Sequence, residues 1–354
     1  MVARSSYLIT LLTVFVAYSL LLVASVDANP VAPKASLRKR TARTTAPAGA
    51  LVVSTTPASG QFSTISAAIA ALPDDGSAQT IFIEAGTYEE QIDITRVGAL
   101  TIMGETEDTA NYESNVVTIT NSASLGTAGT DDASGTLRIH TDNFSLYNVN
   151  VKNTFGESSD NGQALALSAY GTNGGFYGCG FYSFQDTVLA EEGVQFYGSC
   201  YIEGAVDFIF GQSAFAFFQG ATIASIGAGC ITADGPAAKG DSLFVINESV
   251  IMQSTAATED LTGLVYLGRP WTEFASVAYT SVTMSDIINP AGWSIWETDE
   301  PNTEDVTYVE FDSTGAGASG TRASFSSKIT STAGYTIADV LGSDYTTWVD
   351  QDYL

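Results

Sequence analysis

The sequence predicts an all-β chain wound as a single-stranded parallel β-helix, a solenoid with one short N-terminal capping helix. Three observations predict it. Short runs rich in Val, Ile, Phe, Tyr and Thr, broken by Gly, Asn, Asp and Ser, read as strands. These runs recur at roughly 20 to 30 residues, too far apart for hairpins. Neighbouring units also resemble one another. Phe176-Tyr177-Gly178-Cys179 returns as Phe196-Tyr197-Gly198-Ser199-Cys200, and with one inserted residue Cys179 matches Cys200, Phe181 matches Ile202 and Asp186 matches Asp207, each 21 residues apart. A unit of that length cannot bury its apolar face alone and must stack on its neighbours.

In chain order, residues 1–28 read as a secretory leader. Arg4 supplies a positive start, 8–26 is an apolar run, and Val26-Asp27-Ala28 offers small residues for a cut after Ala28. A membrane anchor is the alternative, because the run nearly reaches bilayer-spanning length. Residues 29–50, rich in Pro, Ala, Thr and basic types, read as a linker or short pro-segment. Arg38-Lys39-Arg40 within it is either a processing site or part of a solvated tail. The solenoid domain is expected over 51–354. Ser63 or Thr64 can cap a helix whose Ile65, Ala68, Ile69 and Leu72 share one face, and Pro73 stops it. Strands are expected over 80–84, 99–103, 116–120, 145–151 and 243–246.

Composition narrows the function. Of 354 residues 45% are apolar and 15% charged, which excludes a disordered or fibrous chain. Lys and Arg number 13 against 39 Asp and Glu, a net charge of −26 that repels a phosphate backbone. Six basic residues but only Asp27 among the acids precede residue 44, so the remainder carries 7 basic and 38 acidic groups, a net of −31. Such a body repels an anionic polymer but not a neutral, esterified one. His140 is the single histidine, so multi-His metal sites are excluded.

Coils in a parallel solenoid lie about 4.8 Å apart, and residues one period apart stand above one another. Gln163 lies 22 residues before Gln185, so Gln163, Gln185, Asp186 and Asp207 fall on one patch over three coils. A one-residue slip would turn a side chain to the other face. Two adjacent carboxylates cannot both ionise easily; one keeps its proton while the other stays charged. That division suits nucleophilic attack with acid–base help. Neutral Gln amides can donate to a developing oxyanion. An Asp at a solenoid turn can equally serve only the backbone. Two in register beside aromatic residues (Phe184, Phe208) favour chemistry.

Five strings then occur in order: Gly86-Thr87-Tyr88-Glu89-Glu90, Gln163-Ala164-Leu165-Ala166-Leu167, Gln185-Asp186-Thr187-Val188, Asp207-Phe208-Ile209-Phe210-Gly211 and Leu267-Gly268-Arg269-Pro270-Trp271. Together they resemble the signature segments of pectin methylesterases (pectinesterases). Gly292-Trp293-Ser294-Ile295-Trp296 is similar to a later family segment, and the likeness spans about 60 to 348. The resemblance implies a right-handed parallel β-helix and a cofactor-free aspartyl esterase acting on methyl-esterified homogalacturonan. By that likeness Asp207 is the nucleophile, and Asp186 protonates the departing methanol and then activates water. Gln163 and Gln185 stabilise the oxyanion, Arg269 keeps Asp207 ionised, and Trp271 forms part of the sugar-binding wall. Val188 stands where the family usually has Leu, and Ala316 where it often has Pro; neither bears on the chemistry.

Phe184, Phe208 and Trp293 are further candidates for stacking on sugar, with a place in the aromatic core the alternative for Phe208 and Trp293. Gly240-Asp241-Ser242-Leu243 spells the block of a Ser-His esterase class, but no His follows residue 140, so Ser242 reads as a strand-edge residue. No Gly-x-Ser-x-Gly elbow occurs. His140 reads as a surface or packed residue. Cys179 and Cys200 align on neighbouring coils and are expected to form a disulfide, with stacked thiols the alternative, and Cys230 is expected to be an unpaired, buried thiol. Asn143 and Asn247 begin N-glycosylation acceptors. The expected protein is a secreted, extracellular monomer with no cofactor, no metal, no nucleic-acid partner and no membrane after leader cleavage. A pectin lyase or hydrolase, or a non-catalytic wall-binding solenoid, are the rival readings.

Overall fold

The computed structural model describes residues 41–354; the leader read over 1–28 and the basic tripeptide Arg38-Lys39-Arg40 lie outside the described residues. From Leu51 the chain winds through three parallel sheets. An 11-stranded sheet runs from Leu51–Val53 to Ser326–Lys328, a 7-stranded sheet from Ile92–Ile94 to Val265–Gly268, and an 8-stranded sheet from Gly86–Glu89 to Thr283–Met284. We call these the first, second and third sheets. In the central coils the chain passes from first to third to second, so sheet neighbours are one coil apart. The winding is right-handed, the hand that strand–crossover–strand connections take. The all-β, parallel β-helix reading therefore holds.

Register is set by apolar ladders that point inward. Phe176 pairs with Tyr197, Tyr197 with Phe218 and Phe218 with Ile246. Successive rings along that ladder stack at 4.7 and 4.5 Å between centroids. Phe181 opposite Ile202 is the pairing that the 21-residue repeat predicts.

The expected strand over 145–151 is two strands, Phe144–Tyr147 and Asn150–Asn153, in different sheets. Asn148 between them has φ 51° and turns the corner. The same corner is turned by Gly178, Ser199, Gly220, Glu248 and Ser281, all left-handed. The Asn148 side chain holds its corner in place: Arg43 Nη2 donates to Oδ1 at 2.6 Å and Nδ2 donates to the Thr109 carbonyl at 3.2 Å.

The capping helix spans Ile65–Ala70, with Thr64 Oγ1 accepting from Ala67 N at 3.2 Å. Glu90 adds a carboxylate at the same end, accepting from Ile65 N at 2.7 Å and Ser66 N at 2.9 Å, where the helix dipole favours negative charge. Ile65 and Ala68 are buried against the first coils, and Ile69 and Leu72 pack beside them. At the other end the chain returns along the outside. Val340, Leu341, Val349 and Tyr353 cover Tyr177, Phe196, Phe217 and Val245 on the outer face of the first sheet. Among the described residues no helix is long and apolar enough to cross a membrane.

The expected Cys179–Cys200 bridge is absent: Cys179, Cys200 and Cys230 are all free, buried thiols. Cys179 and Cys200 sit on adjacent coils pointing the same way, and each sulfhydryl turns to backbone. Cys179 Sγ donates to the Leu146 carbonyl at 3.4 Å and Cys200 Sγ to the Phe176 carbonyl at 3.3 Å. Stacking brings the two side chains near each other, but the carbonyls satisfy both thiols.

Candidate active site

The outer face of the second sheet carries a separate apolar strip. Leu165, Leu189, Phe210 and Ala233 form its floor, with Tyr170, Trp271 and Trp296 packed along it. Above this floor, at the entry to strands Val188–Ala190 and Ile209–Gly211, stand Asp186 and Asp207. Val188 pairs with Ile209, so the two aspartates, each two residues earlier, are in register one coil apart.

Both aspartates have left-handed backbone, φ 61° at Asp186 and 51° at Asp207. Asp tolerates this conformation better than most side chains, and such backbone concentrates at functional sites. The ladder still runs through them: Asp186 N donates to the Val206 carbonyl at 3.0 Å and Asp207 N to the Cys230 carbonyl at 2.8 Å. The residues that follow turn inward, Thr187 and Phe208 both having no exposure. Asp186 and Asp207 keep 7% and 5%, a thin opening to solvent through which an ester could reach them.

Arg269 grips Asp207 with two nitrogens. Nε donates to Oδ1 at 2.9 Å and Nη2 to Oδ2 at 2.6 Å, the fork geometry that suits a carboxylate. The guanidinium also lies over the Trp296 ring at 4.2 Å. Burial pushes both aspartic acids above the ordinary carboxylate range. For Asp207 the guanidinium opposes that push; for Asp186 the charges of Asp207 and Asp131 add to it, and its pKa lies well above the ordinary value. Burial and the neighbouring carboxylates thus favour the protonated form at Asp186, while the Arg269 pairing favours the ionised form at Asp207.

The two glutamines border this pair. Gln185 hydrogen-bonds Asp186. Gln163 lies on the preceding coil, where Ala164 N donates to the Gln185 carbonyl at 3.2 Å. Leu167 pairs with Val188, so one extra residue lies between Gln163 and its strand, which is why its spacing is 22 and not 21. Gln163 Oε1 is buried with no protein partner.

Trp271 is half-buried, its ring centroid 6.3 Å from that of Phe210. It packs directly on Gly235, where a Cβ would come within 2.6 Å of the indole. Phe184 is half-buried at the rim. Phe208 and Trp293 are corrections. Phe208 is fully inside, because the residue after Asp207 alternates inward, and Trp293 at 2% exposure stacks on Tyr308 at 4.0 Å between centroids. Neither can meet a sugar ring. Their outward neighbours, two and three residues on, are Phe210 and Trp296. Strict alternation from Asp207 would turn Phe210 inward with Phe208; Phe210 faces out because Phe208 and Ile209 both enter the core, and nothing in the spacing singled out Trp296.

His140 is held between carboxylates, Nδ1 2.7 Å from Asp93 Oδ1 and Nε2 3.2 Å from Asp132 Oδ1. Ser242 is buried and donates to Asp234. Among the described residues no group of three or more His, Cys, Asp or Glu is placed to hold a metal ion.

Comparison with known proteins identifies the family. Residues 51–341 match the family model described as Pectinesterase. A curated pectinesterase of Aspergillus niger is 46% identical over 319 residues, covering 88% of this chain and 94% of that protein. The crystal structure of the deglycosylated pectin methylesterase from Aspergillus niger superposes with a TM-score of 0.81 at 40% identity, covering 88% of this chain and 100% of that one. The pectin methylesterase from carrot superposes at 0.76 with 28% identity, covering 86% and 96%.

Proposed function

This chain belongs to the pectinesterase family and is a carboxylic ester hydrolase acting on pectin, and from that premise we propose that Asp207 and Asp186 divide the chemistry between them. The ionised Asp207 attacks the C6 carbonyl carbon of a methyl-galacturonate unit, and the carbonyl oxygen becomes an oxyanion. The amide N–H groups of Gln163 and Gln185 receive that charge without adding one of their own. As the intermediate collapses, the C–OCH3 bond breaks, Asp186 gives its proton to the departing oxygen, and methanol leaves. The product on the enzyme is an anhydride between Asp207 and the sugar carboxyl. Asp186, now a carboxylate, takes a proton from a water that attacks the sugar acyl carbon. Asp207 departs as a carboxylate, still gripped by Arg269, and Asp186 is again protonated.

One observation carries this reading: two in-register carboxyls, one paired bidentately with a guanidinium and the other beside it without a cation of its own. The apolar floor and Trp271 suit the methyl ester and the C–H face of a neutral sugar ring, and Phe184 borders the same groove. Replacing Asp207 by Asn tests it. Turnover of esterified pectin is expected to fall by at least about 10³-fold, with a lower melting temperature because Arg269 loses its charge partner. Near-normal turnover would remove the mechanism. A lyase would instead yield an ultraviolet-absorbing product, where an esterase yields methanol and acid.

The same reading extends to the chain's setting. A leader over 1–28, a linker to residue 50, an extracellular monomeric solenoid domain from 51 and a glycan at Asn143 make one coherent secreted protein. Asn143 is exposed in a left-handed turn. Asn247 is a poorer acceptor: its Oδ1 accepts from Thr280 at 2.7 Å and its Nδ2 donates to Gln219 at 2.8 Å. The mass and first residue of the secreted chain check these assignments; an intact leader or an unmodified Asn143 would count against them.

A further inference from the structure

Ser242, set aside as a nucleophile on sequence grounds, has a definite partner. Its hydroxyl donates to Asp234, 2.7 Å from Oδ1 and 2.8 Å from Oδ2. Asp234 has no exposure and Ser242 only 2%, so no substrate reaches either. Their role must be exerted through what they hold.

Asp234 ends strand Gly229–Asp234, one coil beyond Gly211 at the end of the strand that follows Asp207. It holds segment 271–276 at both ends. Its carbonyl accepts from Trp271 N at 3.1 Å, and its Oδ2 accepts from Ser276 N at 2.6 Å. Through Ser242 the same carboxyl fixes the far end of loop 235–242, whose first residue, Gly235, is the surface on which the Trp271 indole lies. The two segments also join directly, Thr272 Oγ1 donating to the Pro236 carbonyl at 2.7 Å. Trp271 is thus clamped between loops that meet at a single buried carboxyl, pushed by burial up to about 7. A buried group of this kind is costly and persists only where its contacts fix something.

We propose that Asp234, with Ser242, is a positioning residue for substrate binding: it pins both ends of segment 271–276 and so sets where Trp271 stands against the groove. This rests on the reading of Trp271 as part of the sugar-binding wall. The expected signature is a change in KM with little change in kcat, because the carboxyl's hydrogen bonds go to Ser242 and Ser276 and not to Asp186 or Asp207.

The test uses the full-length secreted enzyme and three variants, W271A, D234N and S242A, with kcat, KM and melting temperature measured on highly esterified pectin. W271A is expected to raise KM by about tenfold, and D234N and S242A by about fivefold, with kcat within about twofold of the parent. S242A removes one hydrogen bond and little volume, so it decides the matter alone if D234N fails to fold. If W271A raises KM while S242A and a folded D234N leave it within about twofold, the positioning role is wrong and the wall stands. If W271A leaves KM unchanged, the wall itself is wrong and the proposal falls with it. A loss confined to kcat in S242A would also overturn it.

Discussion

Asp186 and Asp207 share a coil position, a left-handed backbone and near-complete burial, yet only Asp207 is hydrogen-bonded to Arg269, and the push above the ordinary range is the stronger at Asp186. That difference has a stability consequence with a definite sign. A carboxyl whose folded pKa lies above its unfolded value stabilises the fold fully below about pH 4, and the contribution is lost as pH rises towards the folded value. Asp186 is in that position. Asp186→Asn removes the ionisation while keeping a polar amide beside Gln185. We expect the variant to be inactive yet to melt about 2–3 °C higher than the parent at pH 7, the gap closing below about pH 4. Thermal scans at several pH values check this; a gap that does not depend on pH would contradict it. The pair was legible in the sequence because the 21-residue repeat brings its members together. Arg269, 62 residues beyond Asp207, was not visible to any spacing argument and came only from resemblance to a family. Phe208 and Trp293 were misplaced because aromatic type alone does not say which face of a coil a residue takes.

At the level of strands and corners, local chemistry was readable and long-range chemistry was not. Thr64 and Pro73 bound the capping helix as their residue types require, whereas Glu90, which also caps it, lies 24 to 25 residues away. The run 145–151 looked continuous because Asn148 sits among strand formers, and only its left-handed backbone reveals the corner. Asn148 is fully buried, with both ends of its amide engaged. Asn148→Ala is expected to cost about 3 kcal/mol, combining an unfavourable backbone with two unsatisfied partners. Asn148→Gly loses the same hydrogen bonds but fits the backbone, so it should cost about 1 kcal/mol less. Urea titrations give both numbers. The corner joins the first and third sheets while the groove lies on the second, so kcat/KM should be unchanged in both variants. Equal losses for Ala and Gly would show that the backbone conformation carries none of the cost.

The whole molecule decides which wall is open. The C-terminal segment covers the outer face of the first sheet, leaving the strip on the second for substrate; the sequence did not announce that return path. Charge, by contrast, was legible from composition. From residue 44 onward the body carries 7 basic and 38 acidic groups, and one of the basic ones, Arg269, is committed to Asp207. Each turnover converts a neutral methyl ester into a carboxylate, so the product becomes an anion beside an anionic protein. Repulsion acts within about 8 Å at physiological ionic strength, the scale of neighbouring sugar units, and weakens further in salt. The enzyme should therefore leave a stretch it has de-esterified rather than extend it. At low conversion the free carboxylates are expected to be scattered, and KM should rise as the degree of esterification of the pectin falls, with the rise reduced by added salt. Mapping the carboxylate distribution on the product, and measuring KM on pectins of graded esterification at two ionic strengths, tests the argument. Long contiguous de-esterified blocks, or a KM indifferent to both esterification and salt, would mean that contacts in the groove outweigh the charge of the body.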